Sequence, residues 1–266
     1  VAEGEIRAAD HGGFRLVKRS AKYWEFGLEI TAAGNLTGIA ASAPIPVEFP
    51  EQRITIVSQF RSPTVGNVRM KDHGDQGRQM IVTIPSLAAG QVARATVTMR
   101  LDRYDIVPAE PAVEWQWAKP GSKAGRGFLG DSPYIETSHR RIKDLATELI
   151  QPEASPWEQV QAIYDWLQAN IQYEFDETIH SCLEALEQKK GDCEEFASLF
   201  IALCRARGIP ARAVWCHDHT YPEFLLALPS GTEVWLPCQL TTHEHIFGQM
   251  FDDRPILQKG DKFSIL

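Results

Sequence analysis

A chain of 266 residues, 44% hydrophobic and 23% charged, is long enough for one large domain or two modest ones. It can bury a core without metal or disulfide staples. Its 27 Lys and Arg stand against 35 Asp and Glu, and this net charge of −8 argues against a nucleic-acid partner. No apolar run approaches the ~20 residues of a membrane span. The five cysteines are Cys182, Cys193, Cys204, Cys216 and Cys238, all in the last third. An odd count leaves at least one thiol outside any disulfide framework, and the bunching suits a catalytic or metal site better than a stapled scaffold. The chain begins at Val1 rather than Met and reads as processed or trimmed. An exported location is expected if a leader was removed, and a cytoplasmic one otherwise.

The first hundred residues alternate with a period of two. Trp24, Phe26, Leu28 and Ile30 form one apolar row, Met80, Val82 and Ile84 a second, and Ala93, Ala95, Val97, Met99 and Leu101 a third. Turn clusters such as Ser42-Ala43-Pro44, Arg61-Ser62-Pro63 and His73–Gly77 separate them. The pattern predicts an antiparallel β-sandwich over residues 1–105. Residues 106–133, with Pro108, Pro111, Pro120, Gly121, Gly125, Gly127, Gly130 and Pro133, read as a linker. Trp115 and Trp117 within it suggest a segment that packs rather than a free tether.

From residue 134 to 266 the period becomes helical and then returns to strands. Ile142, Leu145, Ala146, Leu149 and Ile150 mark one amphipathic helix. Ser155-Pro156-Trp157-Glu158 starts a second, with Ser as N-cap, Pro at the first helical position and Glu closing a capping box. Asp192 and Glu195 repeat that signal, so a third helix should begin at Cys193 and stop at Gly208. A strand over 211–216 and a hairpin from Tyr221–Leu228 and Glu233–Cys238 complete an α+β domain.

Cys193 would sit in the first turn of its helix, where free N–H groups and the dipole favour a thiolate. Asp192, Glu194 and Glu195 oppose this, so a nearby imidazolium is the expected stabiliser. His217, His219, His243 and His245 are the candidates, at the two ends of the hairpin. Gln239 returns toward the His219 end, where its amide oxygen can accept the second imidazole N–H. His11, His73 and His139 read as surface or satisfied groups, and Cys204 as a buried small hydrophobe. A metal centre built from Cys216–His219, Cys238 and His243–His245 is the rival, but the spacing lacks Cys-x-x-Cys and His-Glu-x-x-His. A Cys216–Cys238 disulfide on adjacent strands is a structural alternative for those two thiols.

Residues 191–214, from Gly191-Asp192-Cys193-Glu194-Glu195-Phe196 to Ala213-Val214, resemble the core of the transglutaminase-like superfamily. His219-Thr220-Tyr221-Pro222-Glu223 is similar to its His-x-aromatic-x-Glu segment, and Trp235-Leu236-Pro237 to its Trp-x-Pro segment. Ile163–Leu167 and Asn170-Ile171 match its lead-in, so the likeness covers roughly 137–240. It implies a papain-like fold with Cys193 as nucleophile and His219 as base, of the bacterial cysteine-protease type with an N-terminal β-domain. Gln239 stands where the family usually places Asp, and a neutral group stabilises an imidazolium less. The expected activity is acyl transfer on amide bonds through a thioester, hydrolytic rather than transamidating, on a peptide or protein substrate. Neither a cofactor nor a metal is expected. A protein-glutamine transglutaminase, in which an amine resolves the thioester, and a non-catalytic binding module, with Gln239 as its support, are the alternatives. Asp252 or Asp253 could replace the missing carboxylate if the tail folds back.

Overall fold

A computed structural model of the chain describes residues 6–7, 13–108, 114–242 and 244–262. His11, Pro111 and His243 therefore lie outside the described residues. The chain separates into two units. One comprises Lys18–Tyr104 and Asp253–Lys259; the other comprises Asp105–Asp252 and Gly260–Lys262, with the described residues up to Val17.

Seven strands come first: β1 (Ile6–Arg7), β2 (Phe14–Thr31), β3 (Leu36–Ile45), β4 (Gln52–Arg61), β5 (Asn67–Asp72), β6 (Arg78–Leu87) and β7 (Val92–Pro108). They form two sheets, ordered β1-β2-β7-β4 and β3-β6-β5. The alternating rows explain why. Phe26, Met80, Val82, Ile84, Ala93, Ala95, Val97, Met99 and Leu101 are all buried in one cluster, with Trp24, Leu28 and Ile30 packed against it. Each fully buried large apolar side chain there contributes roughly 1.5–3 kcal/mol. Gly27 is required where β2 meets β7: a Cβ would lie 2.1 Å from Ala95 O.

The second unit adds β8 (Gln116–Trp117), α1 (Arg140–Leu149), α2 (Pro156–Asn170), β9 (Gln172–Tyr173), α3 (Cys182–Gln188), β10 (Lys190–Gly191), α4 (Cys193–Ala206), β11 (Ala211–Cys216), β12 (His219–Ala227), β13 (Glu233–Gln239) and β14 (Ile246–Phe247). Strands β14, β13, β12 and β11 lie side by side and antiparallel, and β8 pairs with the far end of β12. The whole is α+β. Trp115 stacks on Trp157 and Trp117 pairs with Leu226, so this Pro/Gly-rich segment is anchored. The last strand, β15 (Ile256–Lys259), belongs to the first unit: Gln52 bonds both Ile256 O and Ile256 N, and Lys259 Nζ meets buried Glu51 at 2.5 Å.

Helix α4 organises the second unit. Every residue from Glu195 to Arg205 is buried, and Phe200 packs against Phe224 of β12 at 6.1 Å. Its far end is held by a buried ion pair between Arg205 and Asp261. Helix α3 has no counterpart among the predicted elements, although Ser181 and Glu184 spell its capping box. Among the described residues, no helix is long and apolar enough to cross a membrane.

Candidate active site

The approach to α4 is tightly determined. Gly191 pairs with Tyr173 in a parallel bridge, and a Cβ at Gly191 would meet Glu195 Cβ at 2.4 Å. Only glycine fits that close approach. Asp192 is the N-cap and accepts from Glu194 N at 3.0 Å. Glu195 reaches back: its Oε2 accepts from Asp192 N at 2.9 Å and its Oε1 from His180 N at 2.6 Å. Cys193 thus opens the helix half-buried, as the capping signal predicts.

Its sulfur faces a carboxyl group. Sγ lies 3.0 Å from Glu194 Oε2 and donates to it. Burial, the Glu194 contact and the Glu194 charge push the thiol up to about 12, and a hydrogen bond from the Thr220 backbone N–H pulls the other way. Burial comes first among these causes and the Glu194 carboxyl second, so desolvation together with a like charge keeps the thiol high. Burial and the neighbouring Asp192 in turn raise the Glu194 carboxyl above its ordinary value.

The Thr220 contact sets the first residues of β12 against the thiol. His219 immediately precedes Thr220 and pairs with Cys216 across the two-residue turn His217-Asp218, where Asp218 takes φ 54°. The His219 ring meets the Gln239 carboxamide: its Nε2 is 2.8 Å from Gln239 Nε2 and 3.1 Å from Gln239 Oε1. Leu240 N donates to Gln239 Oε1 at 3.2 Å, and Thr241 Oγ1 lies 3.3 Å from it. A backbone N–H cannot accept, so it identifies that atom as the oxygen and leaves the amino group against the imidazole. In one tautomer His219 Nε2 accepts from that amino group; in the other, Nε2–H donates to Gln239 Oε1 and Nδ1 is left as the basic nitrogen, the form that can take a proton from a thiol.

Gln239 is itself held from α2. Tyr164 Oη donates to Gln239 O at 3.0 Å and accepts from Ile246 N at 3.1 Å, while Gln168 Nε2 donates to Leu240 O at 2.6 Å. Burial raises the Tyr164 phenol to about 12, so it remains a donor. Nothing in the spacing of Tyr164 and Gln168 announces this tether beyond their helical stripe.

The other candidates sit elsewhere. His217 is exposed and pairs with Asp218 at 3.1 Å, and His245 with Asp165 at 3.2 Å. Asp253 pairs with Lys22 at 2.5 Å. Glu223, of the His-x-aromatic-x-Glu segment, forms a buried ion pair with Arg212 at 2.8 Å, whose guanidinium stacks on Trp235 at 4.1 Å. These motif residues brace the sheet. The proposed disulfide does not form: all five cysteines are free, and β12 lies between the strands carrying Cys216 and Cys238. Among the described residues, the one trio of metal-capable side chains is Asp192, Cys193 and Glu194, not the Cys216–His219 run.

A half-buried thiol on the first turn of a central helix, beside a strand that begins with His, suits a transglutaminase-like fold. The comparisons agree. Residues 143–245 match the family model of the Transglutaminase-like superfamily. The chain is similar to the crystal structure of a putative cysteine protease from Cytophaga hutchinsonii, with TM-score 0.64, 18% identity, and 92% of this chain and 84% of that one covered. At that identity the likeness shows the fold. An uncharacterized protein of Haemophilus influenzae is 30% identical over 95 residues, which span 33% of this chain and only 25% of that protein.

Proposed function

We propose that the second unit catalyses cysteine-dependent acyl transfer on amide bonds, with water resolving the thioester. The observation that carries this reading is the meeting of the α4 and β12 starts, where Thr220 N–H reaches Cys193 Sγ and His219 stands next in the chain, in contact with Gln239. His219 takes the thiol proton and Sγ adds to the amide carbonyl carbon. The oxyanion is held by backbone N–H groups at the helix start, that of Cys193 foremost. The imidazolium returns its proton to the departing amine, leaving a thioester on Cys193. His219 then deprotonates water, which attacks the thioester; the acid leaves and the thiol is restored. Gln239 Oε1 accepts from the imidazolium Nε2–H while that charge exists.

The substrate in this reading is a peptide or protein amide. Replacing Cys193 with Ala should abolish amide turnover and labelling by a thiol-reactive amide probe. Turnover retained in Cys193→Ala would overturn it. A second reading, a binding module without chemistry, has the raised thiol pKa and the neutral Gln239 on its side. It predicts no turnover of any amide and no acyl adduct.

A further inference from the structure

The ends of α4 and β12 that lie away from Cys193 and His219 form a second built surface. β8 pairs with Leu226 and Ala227 at the end of β12, and α4 stops at Ala206, about 20 Å along the helix from Cys193. Residues 119–128 turn across this end. Lys119 N donates to Glu233 Oε1 at 3.0 Å, Ser122 N to Lys119 O at 3.1 Å and Phe128 N to Gly125 O at 3.0 Å. Gly125 lets the turn lie directly on the chain just past α4: a Cβ there would come 2.8 Å from Pro210 Cγ.

These contacts border a cavity of about 430 Å³, a volume that suits a small organic ligand. Trp117, Pro120 and Pro210 supply apolar walls, and Lys119, Arg207 and Ser122 supply donors. The Trp117 side chain remains 45% exposed. In a chain of net charge −8, no Asp or Glu lines the cavity. Among the described residues neither the Lys119 ammonium nor the Arg207 guanidinium forms an ion pair, and the latter reaches only as far as Thr147 Oγ1 at 3.4 Å. Ser122 Oγ accepts from Gly125 N at 3.1 Å, which leaves its O–H as a donor.

Two full positive charges therefore border an apolar cleft. The C-terminus of α4 opposes them with roughly half a negative charge. Its last carbonyls are already engaged, because Cys204 O accepts from Arg207 N and Ile209 N, and Arg205 O from Gly208 N. The cations win, so the charge that complements this cleft is negative. A phosphate favours the free N–H groups of a helix start, whereas a helix ends here; a planar carboxylate matches the guanidinium fork.

We propose that this cleft binds an aromatic carboxylate, its ring packed on Trp117 and the two prolines and its carboxylate held by Arg207 and Lys119. The site is separate from Cys193 and stands or falls independently of the acyl-transfer reading.

The test is calorimetric titration of the intact protein with four probes of one shape: 2-naphthoate, 2-naphthamide, 2-naphthylmethylammonium and 2-naphthyl phosphate. A charge pair at contact distance corresponds to about tenfold, so naphthoate should bind at least that much tighter than the amide, and the ammonium should not bind. Arg207→Gln should weaken naphthoate by about tenfold and leave naphthamide unchanged, which also shows the cleft intact. Trp117→Ala should weaken both. Lys190→Gln, at the opposite end of α4, and Cys193→Ala should change neither. Equal affinity for acid and amide, or wild-type affinity for naphthoate in Arg207→Gln or Trp117→Ala, would overturn the proposal. Loss of binding in Cys193→Ala would place the ligand at the thiol and overturn it too, and a tighter naphthyl phosphate would reject the carboxylate.

Discussion

Cys193 and Cys204 lie on the same helix, about three turns apart. Both thiols are held above their ordinary value, but for different reasons. At Cys204 burial is the cause, opposed by the neighbouring Arg205 charge. At Cys193 burial acts together with the Glu194 hydrogen bond and charge, against a donated Thr220 N–H. Among the described residues the Cys204 sulfur has no hydrogen-bond partner, whereas the Cys193 sulfur meets Glu194 and the Thr220 N–H. A helix-start position therefore does not make a thiolate by itself; it makes a thiol whose protonation its neighbours control.

The sharpest way to break this contrast is to truncate each sulfur in turn. Cys193→Ala should lower amide turnover by about 10³-fold or more with little change in melting temperature. Cys204→Ala should leave turnover in place while costing about 1–2 kcal/mol in urea denaturation, because it opens a small cavity in a closed core. Equal effects on turnover would erase the distinction.

Next in size is Gln239→Ala, which removes the group touching His219 Nε2. Turnover should fall by about 10²-fold, and the pH profile should move because the imidazolium loses its acceptor. Asp192→Ala comes after it. Losing the N-cap contact to Glu194 N should cost about 1 kcal/mol of stability, read by thermal melting.

The effect that is smallest near neutrality concerns alkali. The folded-state pKa values of Cys182, Cys204 and Cys238 lie above the ordinary 9.0 because of burial. Between the unfolded and folded values the unfolded chain has lost protons that the native chain keeps. Stability should therefore fall as pH rises above about 9. Urea titrations at pH 7, 9 and 10.5 check this, and Cys204→Ala should flatten the decline.

Much of the architecture was legible in the sequence because local physics sets it. The rows Trp24–Ile30, Met80–Ile84 and Ala93–Leu101 reach the sandwich core as their two-residue period demands. Ser155 with Glu158 and Asp192 with Glu195 begin helices where the capping pattern places them. Helix α3 was equally legible through Ser181 and Glu184, but its seven residues carry too short an apolar stripe to stand out. Other features depend on contacts between distant residues. No spacing rule connects Tyr164 to Gln239 O, or Asp253 to Lys22. The capping pattern already assigns Asp192 and Glu195, whereas only three-dimensional placement makes Glu194 the partner of the thiol. The alternative of a Cys216–Cys238 disulfide needed adjacent strands, and β12 lies between β11 and β13 in the sheet.

The central claim is that Cys193 carries the acyl group, and the most direct measurement is an acid quench during turnover of a peptide amide. Peptide mapping by mass spectrometry would then locate any adduct. The account predicts an acyl mass on the peptide containing Cys193, absent from Cys193→Ala. Undiminished turnover in Cys193→Ala, with no acyl mass on that peptide in the wild type, would contradict it.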